Sequence, residues 1–421
     1  ISCGDPTKAG PGFAEEVVAS DLPASVELTD QPLLPGSYGT VDLSSLTATS
    51  LLEFALDVLL TMPGERQTVA SVEDNESGWQ ATLVAVDGVL SLHVGDTQLE
   101  LRSQPLASHR WYHVRCTFDL AAGSLQTSIG TKPSASPGRD LFESGRCVAK
   151  ANIDLDSVHL STLVLGGWIE NGRPTGDFDG RIGQPSMQID DQRLKWDLHQ
   201  DMGGRSIVDA GPNQRHGELH QLPARGVTGS TWDGDHQRWT DAPEQWNAVH
   251  FHKDDLYDAG WHETTNITLP DDLPSGIYAF RLQAGDQSDR VPFFVRPAVQ
   301  APTKDVALLM SSATYIAYAN HRMLFDGADF IGTRTRLRPE HDYVRSHPEL
   351  GRSMYEKHPD GSGVMFSSRL RPLLNLRPGA DGWNFTPDTD INAFLEQTEV
   401  GHDVIADEDV HAEGLAALAP Y

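Results

Sequence analysis

A chain of 421 residues and 46.0 kDa is long enough for two to four domains with hydrophobic cores of their own, which excludes a small protein held together by disulfides or metal ions. The chain carries 60 acidic and 32 basic side chains, and its net charge of −28 repels phosphate backbones and anionic lipid surfaces. We therefore expect no nucleic-acid partner. The sequence also has no apolar run of about 18 residues, so we expect no membrane partner.

The cysteines indicate the compartment. Cys3, Cys116 and Cys147 are odd in number, widely spaced and without a CxxC pair. This pattern indicates neither a disulfide framework nor a thiolate zinc site, and it predicts a reducing, cytoplasmic location. Both ends of the sequence suggest a fragment, because the polar Gly/Pro-rich start has no Met and the chain stops at Tyr421, where an α/β fold would place its next strand.

Residues 45–194 consist of short apolar-alternating runs separated by turn residues, which predicts antiparallel β-structure. Asp87-Gly88 lies between two such runs as a two-residue hairpin turn. Regularly spaced short strands favour a β-sandwich. The order of the opening apolar strand, RWYHVRCTFD, LVLGGW and FDGRIGQPSM resembles laminin-G/concanavalin-like domains.

Residues 195–300 are rich in Gly, Pro and Asp but end in the strand-like segments SGIYAFRL and RVPFFVRP. They resemble the last strands of an immunoglobulin-like β-sandwich. Residues 1–44 would supply its first part, so that the laminin-G/concanavalin-like sandwich of residues 45–194 is inserted into it. The segment PAVQAPTK reads as a linker to the following region.

Residues 301–421 change to an α/β pattern. The segment 305–319 opens with a continuous apolar run typical of a buried parallel strand, HDVIADED predicts a second short strand, and two segments with helical spacing accompany them. Two strands do not make a domain, so we expect the N-terminal part of a truncated α/β domain of the glutamine-amidotransferase/flavodoxin-like type. The predicted fold class is therefore multidomain β plus α/β.

Reactive side chains concentrate after the first α/β strand, at the sheet edge where open α/β sheets bind ligands. Directly after the strand these residues are Tyr315, Tyr318, Asn320 and His321. A long loop that follows adds Tyr355, Glu356 and His358. Phenolate oxygens are hard anionic donors, so two tyrosines with a carboxylate suit a ferric ion. Tyr315 and Tyr318 are three residues apart and would face opposite sides of an extended strand, so at most one would be a ligand. The alternative is that such a tyrosine only packs at the strand end.

Two further clusters suggest metal binding. His250 and His252, at alternate positions of a strand, could hold a divalent metal together with Asp254, although the acidic, turn-rich surroundings favour a surface location. The run Asp407-Glu408-Asp409 could accept Mg²⁺, but its position before VHAEGL favours helix N-capping.

Long strings in the same order carry a resemblance along the whole length. They are CGDPTKAGPGFAEE, LPARGVTGSTWDG, APEQWNAVHFHKDDLYDAGW, LPSGIYAFRLQAGD, VPFFVRP, ATYIAYANHR, MYEKHPDGSGV and DVIADEDVHAEGLAAL. Together they resemble the large, iron-binding subunit of the N,N-dimethylformamidase family.

The resemblance implies an amidohydrolase that converts N,N-dimethylformamide and small N-substituted formamides to formate and amine. A mononuclear Fe³⁺ would act as Lewis acid, held by two tyrosines and one glutamate. By motif the tyrosines are Tyr315 and Tyr355, with Tyr318 as the alternative to Tyr315. The glutamate is expected beyond Tyr421, so this fragment alone should be inactive.

The resemblance also implies a partner, the small subunit of the enzyme, in an α2β2-type assembly. Asn320 and His321 are candidates for polar support of the reaction, including protonation of the departing amine. A different class of function stays open, namely a carbohydrate- or partner-binding protein built of β-domains and without catalysis.

Overall fold

The computed structural model describes residues 32–74, 76–132, 146–171, 173–298, 301–322, 339–377 and 385–421. Its chain forms two compact units. The sandwich unit comprises the described residues of 34–257 and 358–362, and the second unit, called here the mixed unit, comprises those of 32–33, 258–357 and 363–421.

The sandwich unit contains eighteen of the described strands. They are β1 (Tyr38–Ala48), β2 (Leu51–Leu60), β3 (Gln67–Glu73), β4 (Gln80–Val86), β5 (Val89–Val94), β6 (Thr97–Glu100), β7 (Trp111–Asp119), β8 (Ser124–Thr131), β9 (Arg146–Asn152), β10 (Val158–Leu165), β11 (Gly167–Glu170), β12 (Arg173–Gly176), β13 (Gly180–Ile189), β14 (Gln192–Asp197), β15 (Ser206–Asp209), β16 (Gly217–His220), β17 (Ala224–Val227) and β18 (Ala248–Phe251). A 3₁₀ helix spans Pro243–Gln245.

Two antiparallel sheets face each other across one core. The first has the order β6-β5-β4-β3-β10-β1-β16, and the second has the order β14-β13-β2-β7-β8-β9, with β18 paired to both β13 and β17. Strand β15 pairs with β14 and with β16 and so joins the sheets into one continuous ladder. Strands β11 and β12 form a separate hairpin. The chain therefore forms a mainly β structure around an antiparallel sandwich.

Alternating burial explains why these segments are strands. In β7 the side chains of Tyr112, Val114, Cys116 and Phe118 are buried, while those between them are less so. Strand β2 is buried on both faces along most of its length: Phe54, Leu56, Val58 and Leu60 face the core. On the opposite face the Asp57 carboxylate is covered by Ser230 and Lys132. The Asp87-Gly88 turn between β4 and β5 has the positive φ angles of a tight hairpin, as the sequence predicts.

The strand pairing divides the chain differently from the predicted boundaries. β1, from the segment assigned to an outer immunoglobulin-like sandwich, lies between β10 and β16, and β15 to β18 pair into the same ladder. Ile207 and Leu219 contribute to the common core. The strands of residues 206–251 are only four residues long, and their apolar residues, including Val249 and Phe251, pack into this common core, so in the structure they extend the sandwich predicted for 45–194. Residues 1–31 of the predicted outer sandwich lie outside the described residues.

The mixed unit contains an antiparallel hairpin and a parallel strand pair. The strands are β19 (Gly276–Ala284), β20 (Gln287–Val295), β21 (Ala307–Met310) and β22 (Asp403–Ala406), and the helices are α1 (Ser312–Ala317), α2 (Pro339–Ser346), α3 (Phe385–Gln397) and α4 (Asp407–Glu413). Short 3₁₀ helices span Pro348–Leu350 and Gly414–Ala417. None of the described helices is long and apolar enough to cross a bilayer.

The parallel pair β21 and β22 agrees with the two strands predicted in this region, with Ala307 opposite Asp403. Strand β21 ends at Met310 and the chain turns into α1 after Ser311, so Tyr315 lies in a helix and Tyr318 at its end rather than on an extended strand. The carboxylate of Asp407 accepts hydrogen bonds from Ser312 Oγ at 2.5 Å and from the backbone N–H of Ala313 at 3.1 Å. These bonds satisfy donors at the start of α1 and stabilise the early helix start.

The acidic run at residues 407–409 has a capping role at two helices. Asp407 binds the start of α1, and Asp409 accepts a hydrogen bond from the backbone N–H of Ala406 at 2.9 Å, at the start of its own helix α4. The N-capping role favoured from the sequence is confirmed for Asp409.

Candidate functional site

Tyr315 lies in α1 and belongs to the core of the mixed unit. Its ring meets that of Phe385 edge to face at 5.4 Å, and its hydroxyl group bonds to Asp388. The hydroxyl oxygen also accepts a hydrogen bond from the N–H of Ser311 at 3.1 Å. Burial, followed by the bond to Asp388 and the negative charge of that carboxylate, raises the pKa of Tyr315 well above its usual range. Both hydrogen-bonding functions of this phenol are occupied within the core.

Tyr318, at the end of α1, is brought together with Tyr355 from the long loop. The two rings stack with centroids 3.9 Å apart and an angle of 14° between their planes. A hydrogen bond to Tyr355 is the first cause, ahead of burial and charge, that raises the pKa of Tyr318. Tyr355 is 54% exposed, so this pair is accessible from solvent. The structure thus joins Tyr355 to Tyr318, the alternative considered from the sequence, and gives Tyr315 a different partner.

The backbone holds Tyr355 beside the end of α1. The N–H of Met354 donates to the carbonyl of Ala317 at 3.0 Å, and Ser353 Oγ donates to the same carbonyl at 2.9 Å. Ser353 Oγ in turn accepts the N–H of Tyr355 at 3.2 Å. The last carbonyls of a helix need such partners, so the end of α1 and the loop position of Tyr355 are fixed by the same bonds.

A buried ion pair supports this arrangement. Arg322 and Glu356 are 3.5 Å apart, with side chains 7% and 9% exposed. The Glu356 carboxylate also accepts the backbone N–H groups of Arg322 at 2.7 Å and Ser353 at 2.9 Å. The guanidinium of Arg322 donates to the carbonyls of Val344 and His347. One carboxylate therefore connects the chain that follows Tyr318 to the chain that carries Tyr355.

The side chain of Asn320 is hydrogen-bonded to backbone groups of the surrounding loops. Its side-chain N–H groups donate to the carbonyls of Leu350 and Pro372, and its side-chain oxygen accepts the N–H of Leu374 at 2.9 Å. The residue is fully buried and has a φ of +56°, a conformation that asparagine tolerates better than most residues. Asn320 thus organises the turn after α1, and its amide is directed at backbone groups.

His321 is buried next to the tyrosine pair. It is 3% exposed, and its ring meets that of Tyr318 edge to face at a centroid distance of 6.2 Å. Its backbone N–H donates to the carbonyl of Tyr318 at 3.2 Å. Among the residues predicted from the sequence, His321 and Tyr318 are in contact with each other, and Tyr318 also contacts Tyr355.

A second cluster of donor groups lies in the sandwich unit. His250 and His252, predicted as a possible metal pair, have ring centroids 4.1 Å apart. His250 Nε2 lies 2.9 Å from Asp360 Oδ2, whereas Asp254, the predicted third ligand, bonds to His358 Nδ1 at 2.6 Å. Asp360 was missed from the sequence because it is 110 residues from His250 and shares no spacing pattern with it.

The cluster is electrostatically unusual. Burial lowers the pKa of His250 to about 4. Burial also acts to lower the pKa of His252, but the hydrogen bond and negative charge of Asp255, followed by the charges of Asp360 and Asp254, outweigh it and raise that pKa. Bonds from His250 and Ser362 hold the pKa of Asp360 well below its usual range against the opposing effect of burial. Buried imidazoles and carboxylates at such distances form a potential divalent-metal site.

The fold and these two clusters define a mainly β protein of two units with phenol donors in one unit and imidazole donors in the other. Residues 224–421 match the model of a family described as N,N-dimethylformamidase beta subunit-like, C-terminal.

Two curated relatives carry the same name. The chain is 29% identical over 471 residues to the N,N-dimethylformamidase beta subunit of Paracoccus aminophilus, and 28% identical over 473 residues to that of an Alcaligenes species. Each comparison covers 99% of this chain and 61% of the relative, so the chain spans about three fifths of the length of these relatives.

Similar solved structures include a heptameric SAP-like pentraxin from Limulus polyphemus, with a TM-score of 0.27 and 14% identity, covering 39% of this chain and 73% of that chain. Another is the LG1-3 region of the laminin alpha2 chain, with a TM-score of 0.28 and 12% identity, covering 38% of this chain and 31% of that chain.

Proposed function

We propose that this chain is part of the iron-binding large subunit of an N,N-dimethylformamidase-type amidohydrolase. The reaction is hydrolysis of N,N-dimethylformamide, and of small N-substituted formamides, to formate and the corresponding amine. The names of the two relatives and the family match over residues 224–421 support the enzyme class. The single observation on which the proposed iron site rests is the stacking of the Tyr318 and Tyr355 rings, whose centroids are 3.9 Å apart.

Tyr318 and Tyr355 fit a ferric ion better than Tyr315 does. Their hydroxyl groups are neighbours that bond to each other, whereas the Tyr315 hydroxyl is already bonded to Asp388 in the core. Two adjacent phenols do not ionise together without a cation to offset the charge, and two phenolates are hard oxygen donors of the kind that Fe³⁺ prefers. We therefore assign Tyr318 and Tyr355 as the ligand tyrosines supplied by this part of the protein.

Bound iron would supply Lewis-acid polarisation of the amide carbonyl or a lowered pKa of a bound water. The chain's own residues have three tasks in this proposal. Tyr318 and Tyr355 hold the ion, and the Arg322–Glu356 pair holds Tyr355 against the end of α1. His321, packed against Tyr318, is the candidate that protonates the departing dimethylamine. Asn320 positions the turn that carries His321.

We further propose that the large subunit acts with the small subunit of the enzyme in an α2β2-type assembly in the cytoplasm. The relatives' names, which designate a beta subunit, support the existence of a partner subunit. The net charge of −28 favours a small neutral substrate over nucleic acid.

The test uses the complete gene product co-expressed with its small subunit. Iron per large chain and amine release from dimethylformamide are measured for wild type and for Tyr318→Phe, Tyr355→Phe and Tyr315→Phe. Loss of iron in the first two variants and its retention in the third support the proposal. Loss of iron in Tyr315→Phe with retention in Tyr318→Phe would reverse the ligand assignment. Absence of both iron and amine release in the wild type would favour a binding protein without catalysis.

A further inference from the structure

The second donor cluster consists of residues of the sandwich unit, whereas Tyr318 and Tyr355 belong to the mixed unit. His250 lies on β18 and His252 directly follows this strand, so the two side chains project to the same side. Asp360 belongs to the segment His358–Ser362 of the same unit. The side chains of His250, His252 and Asp360 are only 4%, 1% and 1% exposed.

The donor atoms have the separations of metal ligands. Asp360 Oδ2 lies 2.9 Å from His250 Nε2 and 3.7 Å from His252 Nε2. Ligands at about 2.0–2.1 Å from a tetrahedral Zn²⁺ lie about 3.3 Å from one another, between these two distances. One carboxylate oxygen therefore faces two imidazole nitrogens at a spacing that a single ion would occupy with small shifts. His252 Nε2 also lies 2.9 Å from Ser362 Oγ, and a bound ion would replace this hydrogen bond.

Surrounding groups orient these ligands. The second carboxylate oxygen of Asp360 accepts the N–H and the hydroxyl of Ser362, at 2.9 and 2.6 Å. On the other side of the His252 ring, Nδ1 lies 3.4 Å from Asp255 Oδ2, which also accepts the hydroxyl of Ser37 at 2.6 Å. A carboxylate behind a histidine is the usual support of a metal-bound imidazole. The 3.4 Å separation is long for a hydrogen bond, so a small shift of the His252 ring is needed before Asp255 fixes its tautomer and direction.

The charges also favour a cation. Asp254, Asp255 and Asp360 bring three carboxylates to the cluster, and the positive charge of Arg181 acts on Asp360. Several carboxylates in a largely buried place are costly without positive charge near them, and Arg181 supplies this charge only in part.

We propose that His250 Nε2, His252 Nε2 and Asp360 Oδ2 bind a divalent cation of the zinc type, and that this ion stabilises the sandwich unit. Asp255 is a positioning residue that orients His252. The site is independent of Tyr318 and Tyr355, so it remains occupied when the proposed iron ligands are removed.

The test uses the complete protein with its small subunit, stripped of metal by a chelator and titrated with Zn²⁺ and with Co²⁺ as a spectroscopic probe. The wild type and the Tyr318→Phe/Tyr355→Phe double variant should each bind about one Zn²⁺ per large chain. Both should show the visible bands of low-coordinate Co²⁺, and both should melt at a higher temperature with added Zn²⁺. Asp360→Asn should lose this binding, and Asp255→Asn should weaken it about 10- to 100-fold. His236→Asn, at an exposed histidine of the same unit, should bind as the wild type does.

Two outcomes would overturn the proposal. In one, the metal-free double variant takes up no Zn²⁺ or Co²⁺ and its melting temperature does not respond to them. In the other, Asp360→Asn binds Zn²⁺ as tightly as the wild type. Because titration of the double variant alone decides the first outcome, the proposal remains testable even if Asp360→Asn fails to fold. An absence of iron at the tyrosines would not affect either result.

Discussion

The buried pair of Arg322 and Glu356 allows a sharp test of how the tyrosine loop is held. In Glu356→Gln the side chain keeps its shape, but its amide oxygen is the only acceptor left for two backbone donors, Arg322 N–H and Ser353 N–H. An unsatisfied buried donor costs about 1–3 kcal/mol, and the loss of the charge opposite a buried guanidinium adds to this cost. We expect local destabilisation of about 2–4 kcal/mol.

Native-state hydrogen exchange measures this effect locally, at the amides of Arg322 and Ser353. At about 1.36 kcal/mol per factor of ten, their protection should fall about 30- to 900-fold. The matched control is Asp342→Asn, which removes the ion pair between Asp342 and Arg345. The charged atoms of this pair are 2.7 Å apart, but the side chains are 57% and 49% exposed. Exposed pairs contribute about 0–1 kcal/mol, so protection should change by no more than about fivefold. Equal effects of the two substitutions would refute the positioning role of Glu356.

Three further predictions concern other parts of the chain. Burial raises the pKa of Asp179 to about 6, above its value of about 3.9 in the unfolded chain. The free energy of unfolding should therefore fall as the pH rises from about 4 to 6. Urea midpoints measured across that range should show this fall, and Asp179→Asn should flatten it. Burial raises the pKa of Cys116 to about 12, whereas Cys147 is exposed. A thiol reagent at pH 8 should therefore label Cys147 and leave Cys116 untouched until urea is added. Equal labelling rates of the two thiols would contradict the buried position of Cys116 in β7. Asn320→Ala should lower stability by about 2–4 kcal/mol through the lost amide bonds and the positive φ, whereas an unchanged melting temperature with lost turnover would assign Asn320 to catalysis.

The strands with clear apolar alternation could be predicted from the sequence, as could the Asp87-Gly88 turn. The strands β15 and β16 could not be placed, because they are four residues long and β1, the strand that pairs with β16, is about 180 residues earlier in the chain. Their assignment to the sandwich depends on this distant pairing rather than on any local pattern. The sequence boundaries at 44 and 194 therefore differ from the pairing in the structure.

The candidate site was predicted in part. Tyr355 and the group of residues after β21 could be named from motifs, but the choice between Tyr315 and Tyr318 depended on whether the chain continues as a strand or turns into a helix. The decisive bond comes from Asp407, 94 residues later in the chain, which the local sequence around Tyr315 does not reveal. For the same reason Asp360 could not be linked to His250 before the structure brought them together.

The pairing of β1 with β16 has a consequence for how this protein is made. Residues 38–41 reach their partners at 217–220 only after the intervening segment has left the ribosome. At about 5–20 residues per second, β1 would wait about 10–40 s for that edge to be completed. Antiparallel sandwiches with distant pairings also fold slowly in themselves. During synthesis, the edge of β1 that pairs with β16 therefore stays without this partner for that time and is a place where incorrect strand pairing can begin.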